Sequence, residues 1–155
     1  MKFKKIFLCL MSLLLIFSTV VLGEEINKIE VIEKSIEENT EKYEIKVKYP
    51  SIQGGEKEVT DKINKTIEDY TLNWINDIKL LGEEYSKEYE KVGKEMPKME
   101  AYSLFEAFNT DEVISLPVSY YQYTGGAHGL TTKVSYNYNL KTGKELKLKD
   151  LFKEG

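Results

Sequence analysis

The single histidine of the chain stands in Gly125-Gly126-Ala127-His128-Gly129, where three glycines let the backbone turn sharply around an imidazole. Such a ring titrates near neutrality, which suits a general base or a hydrogen-bond donor to a ligand. It can equally serve structure, its nitrogens bonding backbone groups and holding the glycine turn together. Tyrosines gather in the same stretch: Tyr120, Tyr121, Tyr123, Tyr136 and Tyr138, out of 11 in the chain. Strand alternation puts Tyr121 and Tyr123 on one face and Tyr120 on the other, so one set packs inward while its neighbour meets solvent. Exposed tyrosines beside a glycine-rich loop offer flat faces to a sugar ring or a protein partner, although tyrosine is also simply a good strand former. The candidate binding residues are Tyr121, Tyr123, Gly125, Gly126, His128 and Gly129.

Other chemistries lack their residues. Catalytic zinc takes three protein ligands, and one histidine leaves only carboxylates to complete the set, so no metal site and no cofactor is expected. Ser119 and Ser135 have no glycine-flanked nucleophile turn, and no glycine-rich phosphate loop precedes a helix. Acidic pairs such as Glu37-Glu38 and Glu83-Glu84 are adjacent in sequence, and adjacent positions do not converge on one glycosidic bond. No catalytic residue is assigned; the enzymatic alternative is His128 acting with a carboxylate on an envelope polymer.

The first 23 residues read as a secretory signal, with Lys2, Lys4 and Lys5 ahead of an apolar run from Ile6 to Leu22. Val21 and Gly23 suit cleavage before Glu24. An uncleaved anchor is the alternative, because the run approaches the ~20 residues that span a bilayer. Cys9, the one cysteine, lies inside the run with more apolar sequence after it, so lipidation is not expected. The protein is therefore read as secreted or extracytoplasmic, with membrane contact only through an uncleaved signal. Loss of the signal removes Cys9 and three of the 22 basic residues, leaving 19 against 26 acidic ones, a charge of −7. All the basic residues are lysine. An acidic chain without arginine is poorly suited to nucleic acid. Residues 24–155 suit one domain that must be stabilised by packing, since no disulfide is possible.

These side chains need elements to position them. Tyr43, Ile45, Val47 and Tyr49 alternate as a half-buried strand whose pairing Pro50 limits, and Ile29, Val31, Ile32 and Ile36 form the strand before it, with Glu38-Asn39-Thr40 as the turn. After Gly54-Gly55 the period changes. Val59, Ile63, Ile67, Tyr70, Trp74, Ile78 and Leu81 recur every three or four residues, predicting a long amphipathic helix that continues toward Tyr89 and ends by Gly93 and Pro97. Met99 to Phe108 and Val113 to Tyr123 read as two antiparallel strands joined through Asn109-Thr110-Asp111. Thr132 to Leu140 is a third, followed by a tight turn at Lys141-Thr142-Gly143-Lys144 and by Leu146 and Leu148. The expected class is α+β: a hairpin, one long helix and a meander, with the helix on an antiparallel sheet.

Tyr49-Pro50-Ser51-Ile52 ahead of Ile63-Asn64, then Tyr121-Gln122-Tyr123-Thr124-Gly125-Gly126-Ala127-His128-Gly129, then Asn139-Leu140-Lys141-Thr142-Gly143-Lys144 with Leu148-Lys149-Asp150-Leu151-Phe152, together resemble a known family. It is the extracytoplasmic domain of uncharacterised function found ahead of the catalytic domain in PdaC-type peptidoglycan deacetylases and in lysozyme-sensing anti-sigma factors of the RsiV type. The likeness covers most of residues 26–155. It implies a non-enzymatic module binding a cell-envelope component, peptidoglycan or another glycan, or a secreted protein such as a lysozyme; the alternative is an envelope-polymer hydrolase or a deacetylase accessory domain using His128. Deacetylase relatives carry their metal-binding His and Asp residues in a further domain, and the anti-sigma relatives have a cytoplasmic segment before their membrane helix, so neither activity is carried over. Family members continue past the Asp-Leu-Phe segment, so a domain truncated at its C-terminus is expected here.

Overall fold

The computed structural model describes residues 28–151; the signal segment, the cleavage point at Glu24 and Phe152 of the family-like tail lie outside the described residues. Six strands and one long helix follow in the order β1 (Glu30–Asn39), β2 (Tyr43–Gln53), α1 (Lys57–Lys91), β3 (Met99–Phe105), β4 (Phe108–Asn109), β5 (Val113–Tyr123) and β6 (Leu130–Asn139), with a short 3-10 turn at Leu148–Leu151. The strands make one sheet in the order β1-β2-β3-β5, with the two-residue β4 and then β6 also pairing β5. The α+β class and the helix on a sheet are as expected. One pairing departs from a purely antiparallel sheet: β2 and β3 run parallel, Tyr43 opposite Met99 through Val47 opposite Ser103. The reason is the long crossover, since a helix between two strands returns the chain to the end where it started. The expected strand from Met99 to Phe108 also divides, breaking after Phe105 and resuming as β4.

The helix lies on one face of the sheet. Val59, Ile63, Ile67, Ile75 and Ile78 are buried there against Ile45, Val47, Met99, Ala101, Leu116, Val118 and Tyr120. The inward stripe is Val59, Thr60, Ile63, Ile67, Thr71, Ile75, Ile78 and Gly82. Spacing had given Tyr70, Trp74 and Leu81 to that stripe; Thr71, Ile75 and Gly82 occupy it instead. Tyr70 is 38% exposed and Trp74 half-buried. Both rings pack on Tyr120 from the flank, at centroid separations of 5.0 and 4.9 Å. Gly82 is buried because the helix crosses the sheet closely there, a Cβ at that position coming within 3.5 Å of Tyr43 and 3.7 Å of Met99. Gly93, at φ +65°, closes the helix, with Lys94 N–H donating to Tyr89 O and Gly93 N–H to Glu90 O.

The Tyr-Pro-Ser-Ile segment solves a hydrogen-bonding problem. The β2–β3 ladder ends at Val47, so the groups of β2 beyond it that face away from β1 have no strand partner. Lys48 N–H donates to Ser103 Oγ at 3.0 Å, and that hydroxyl donates to Lys48 O at 2.7 Å. Pro50, two residues on, has no N–H to satisfy. Ile52, two further on, is held by the Asn64 amide of α1: its N–H donates to Oδ1 at 2.7 Å and its carbonyl accepts from Nδ2 at 2.9 Å. A serine, a proline and an asparagine stand in for the missing strand.

Candidate functional site

The alternation of β5 places its tyrosines on both faces. Tyr120 points toward α1 and is 1% exposed. Its hydroxyl lies 2.9 Å from Thr71 Oγ1 and 3.3 Å from Tyr136 Oη, so the interior polar atoms satisfy one another. Burial pushes both phenols up from the ordinary tyrosine value, and they remain protonated hydrogen-bonding groups. Tyr136 and Tyr138 are buried with it, so three of the five clustered tyrosines are core.

Tyr121 and Tyr123 emerge on the other face, opposite α1. Register sets Tyr121 opposite Tyr102 of β3 on one side and Thr131 of β6 on the other. The Tyr102 and Tyr121 rings lie 5.9 Å apart and within 7° of parallel. Tyr102 Oη donates to Glu44 Oε2 at 3.0 Å. Burial, reinforced by that bond, pushes the Tyr102 phenol up to about 12. Glu44 itself is held below the ordinary carboxylate value, first by Lys46 and then by Tyr102. On its far side Tyr121 lies over Gly129: a Cβ there would sit 2.5 Å from the ring's Cε2, Cζ and Oη. Gly129 is therefore a platform for a ring, a close approach to backbone that no side chain could share. A shallow depression of about 430 Å³ lies farther along the same face, bounded by Leu104, Pro117, Ser119, Lys133 and Ser135.

The glycine loop closes between β5 and β6. Gly125 and Gly126 take φ of +90° and +107°, a region that side chains rarely adopt. Tyr123 Oη donates to Gly126 O at 3.0 Å and closes the turn. His128 is exposed, its Nδ1 3.1 Å from the carbonyl of the adjacent Gly129. No carboxylate is bonded to the imidazole among the described residues. Of the six candidate residues, Tyr121 and Gly129 touch directly, Tyr123 and Gly126 are bonded to each other, and His128 stands apart on the loop. Tyr102 was not among the candidates: only the β3–β5 register reveals it, since its neighbours in sequence are those of an ordinary alternating strand. Among the described residues no group of three or more His, Cys, Asp or Glu side chains converges to hold a metal ion, and no helix is long and apolar enough to cross a membrane.

The family described as Deacetylase PdaC matches residues 36–131, more than half of the chain. No curated protein matches it. Among solved structures the fold is similar to a DUF3298 family member from Bacteroides fragilis, with a TM-score of 0.61 and 18% identity over 83% of this chain and 63% of that one. A DUF3298 family protein from Pseudomonas aeruginosa aligns over 80% of this chain and 56% of its own, at 17% identity and a TM-score of 0.45. The chain thus spans less than two thirds of either structure. The matched stretch holds the Ile52–Asn64 clamp, the Tyr102–Tyr121 pair and the glycine loop, and on it the chain belongs to the PdaC family.

Proposed function

We propose that this domain is a non-enzymatic extracytoplasmic module that binds a cell-wall glycan on the helix-free face of its sheet. The observation carrying the reading is the parallel Tyr102–Tyr121 ring pair, set on an uncovered face and braced by Gly129. Sugar rings present apolar C–H faces with polar edges, and half-exposed tyrosines match both, with apolar ring surface for the former and hydroxyls for the latter. Glu44, bonded to the Tyr102 hydroxyl, and Ser119 and Thr131, beside Tyr121 by register, supply hydrogen-bonding groups at the sugar's edge. Export by the lysine-led apolar N-terminus would bring this face to the envelope. His128 flanks the site on the loop and contributes contact rather than catalysis.

The test is co-sedimentation with purified insoluble peptidoglycan. The wild-type chain is expected to pellet with it, and Tyr121→Leu, which keeps apolar bulk over Gly129 but removes the aromatic face, is expected to remain in the supernatant. Wild-type protein that stays soluble over peptidoglycan but forms a complex with a secreted lysozyme would replace the glycan with a protein partner. Release of sugar or acetate from the polymer would make the domain an enzyme.

A further inference from the structure

The two edges of the sheet are treated differently. β1 carries Glu30, Glu33, Lys34, Glu37 and Glu38 among its 10 residues, the charge density that keeps an exposed edge from pairing. β6, also 10 residues, carries only Lys133. Its second half is covered by the chain's own return: Leu146 N–H donates to Asn137 O, Asn139 N–H to Lys144 O, and Tyr138 bridges Glu145. Those bonds show that the odd-numbered residues of β6 direct their backbone groups away from β5. By alternation Thr131, Lys133 and Ser135 do the same. Nothing among the described residues pairs with them except a long 3.5 Å contact from Asn137 Nδ2 to Ser135 O. Beside this open half, Leu130 is 60% exposed and Tyr70 38%, and Val134 is half-buried on the helix-facing side. Lys133 has no ion-pair partner among the described residues.

We propose that residues 130–135 of β6 are a docking edge for an extended peptide with a carboxylate opposite Lys133 and apolar side chains at the alternate positions. An added antiparallel strand would satisfy the free N–H and C=O groups of Thr131, Lys133 and Ser135. Its alternating side chains would cover Leu130 and Val134 on one face and meet Lys133 on the other. A second copy of this chain fits poorly. The two-fold register that pairs all three residues sets Lys133 directly against its own copy, and like charges directly opposite are unfavourable. Charge and register therefore favour an acidic, alternating segment of another protein. This edge adjoins the ring pair at Thr131, which stands opposite Tyr121; Lys133 and Ser135 lie beyond the rings and distinguish peptide from sugar.

The probe is a capped Ser-Val-Glu-Val-Ser peptide titrated into the isotope-labelled chain, with Ser-Val-Lys-Val-Ser as control. The expected result is slowed amide exchange confined to Thr131, Lys133 and Ser135, with about fivefold weaker binding of the lysine peptide, the size of a cross-strand charge effect. Lys133→Glu should reverse the order of the two peptides. Equal binding of both peptides, shifts that fall away from β6, no binding at all, or self-association of the chain through β6 would each overturn the proposal.

Discussion

Asn64→Ala removes both hydrogen bonds from the backbone of Ile52, a residue 2% exposed. Two backbone groups then face the protein interior unpaired, because the ladder to β3 has already ended at Val47 and the alanine methyl can replace neither. An orphaned buried donor or acceptor costs about 1–3 kcal/mol, so the pair should cost about 2–5 kcal/mol. That is a large share of the stability of an ordinary domain. Urea unfolding followed by Trp74 fluorescence reads it directly: at the usual slope, the midpoint should fall by about 1–2 M with the slope unchanged. Asn64→Asp discriminates further, since a carboxylate still accepts from Ile52 N–H but sets a like partial charge against Ile52 O. It should lie between wild type and alanine. A loss below about 0.5 kcal/mol for the alanine variant would refute the view that Asn64 replaces a strand there.

Gly129→Ala drives a methyl to 2.5 Å from the Tyr121 ring; the ring must swing off its platform, and thermal melts should show a loss of about 1–3 kcal/mol. His128→Ala removes an exposed ring whose bond is to the adjacent carbonyl, so stability should stay within about 0.5 kcal/mol of wild type in the same melts. The phenols of Tyr49, Tyr102, Tyr120, Tyr136 and Tyr138 are raised chiefly by burial, and that of Tyr43 chiefly by its bond to Glu38. A folded value above the unfolded one contributes stability that is whole below about pH 10 and lost as pH rises through the folded values. Melting temperature should therefore fall across that range, together with a delayed rise in phenolate absorbance; a melting temperature flat to about pH 12 would contradict it.

Period-two and period-3.6 patterns fix where strands and helix lie, because each depends on the residue's own neighbours. They could not give the parallel β2–β3 pairing, which follows from where a 35-residue helix sets the chain down. They also misassigned part of the helix's inner stripe. Hydrophobicity favoured Tyr70 over Thr71, yet Thr71 is fully buried because its hydroxyl bonds Tyr120, a partner 49 residues away. Pairing between separate strands likewise hid Tyr102 from the candidate site, while Tyr121 and Tyr123 were found because alternation alone sends them away from Tyr120. His128 drew notice as a rare residue type in a glycine turn. The positive φ of Gly125 and Gly126 explains the glycines, and the ring itself bonds only its neighbour. The Asn64 clamp had a signal in the paired Tyr-Pro-Ser-Ile and Ile-Asn segments, but its meaning required knowing where β3 stops.

Whether the Tyr102–Tyr121 face takes a sugar ring is read most directly by titrating the isotope-labelled chain with a soluble oligomer of N-acetylglucosamine and following it by NMR. Saturable shifts are expected, concentrated on Tyr102, Tyr121, Gly129 and Thr131, and lost in Tyr102→Leu and Tyr121→Leu proteins that melt like wild type. Shifts confined to the α1 side, or undiminished binding in both leucine variants, would contradict sugar binding there.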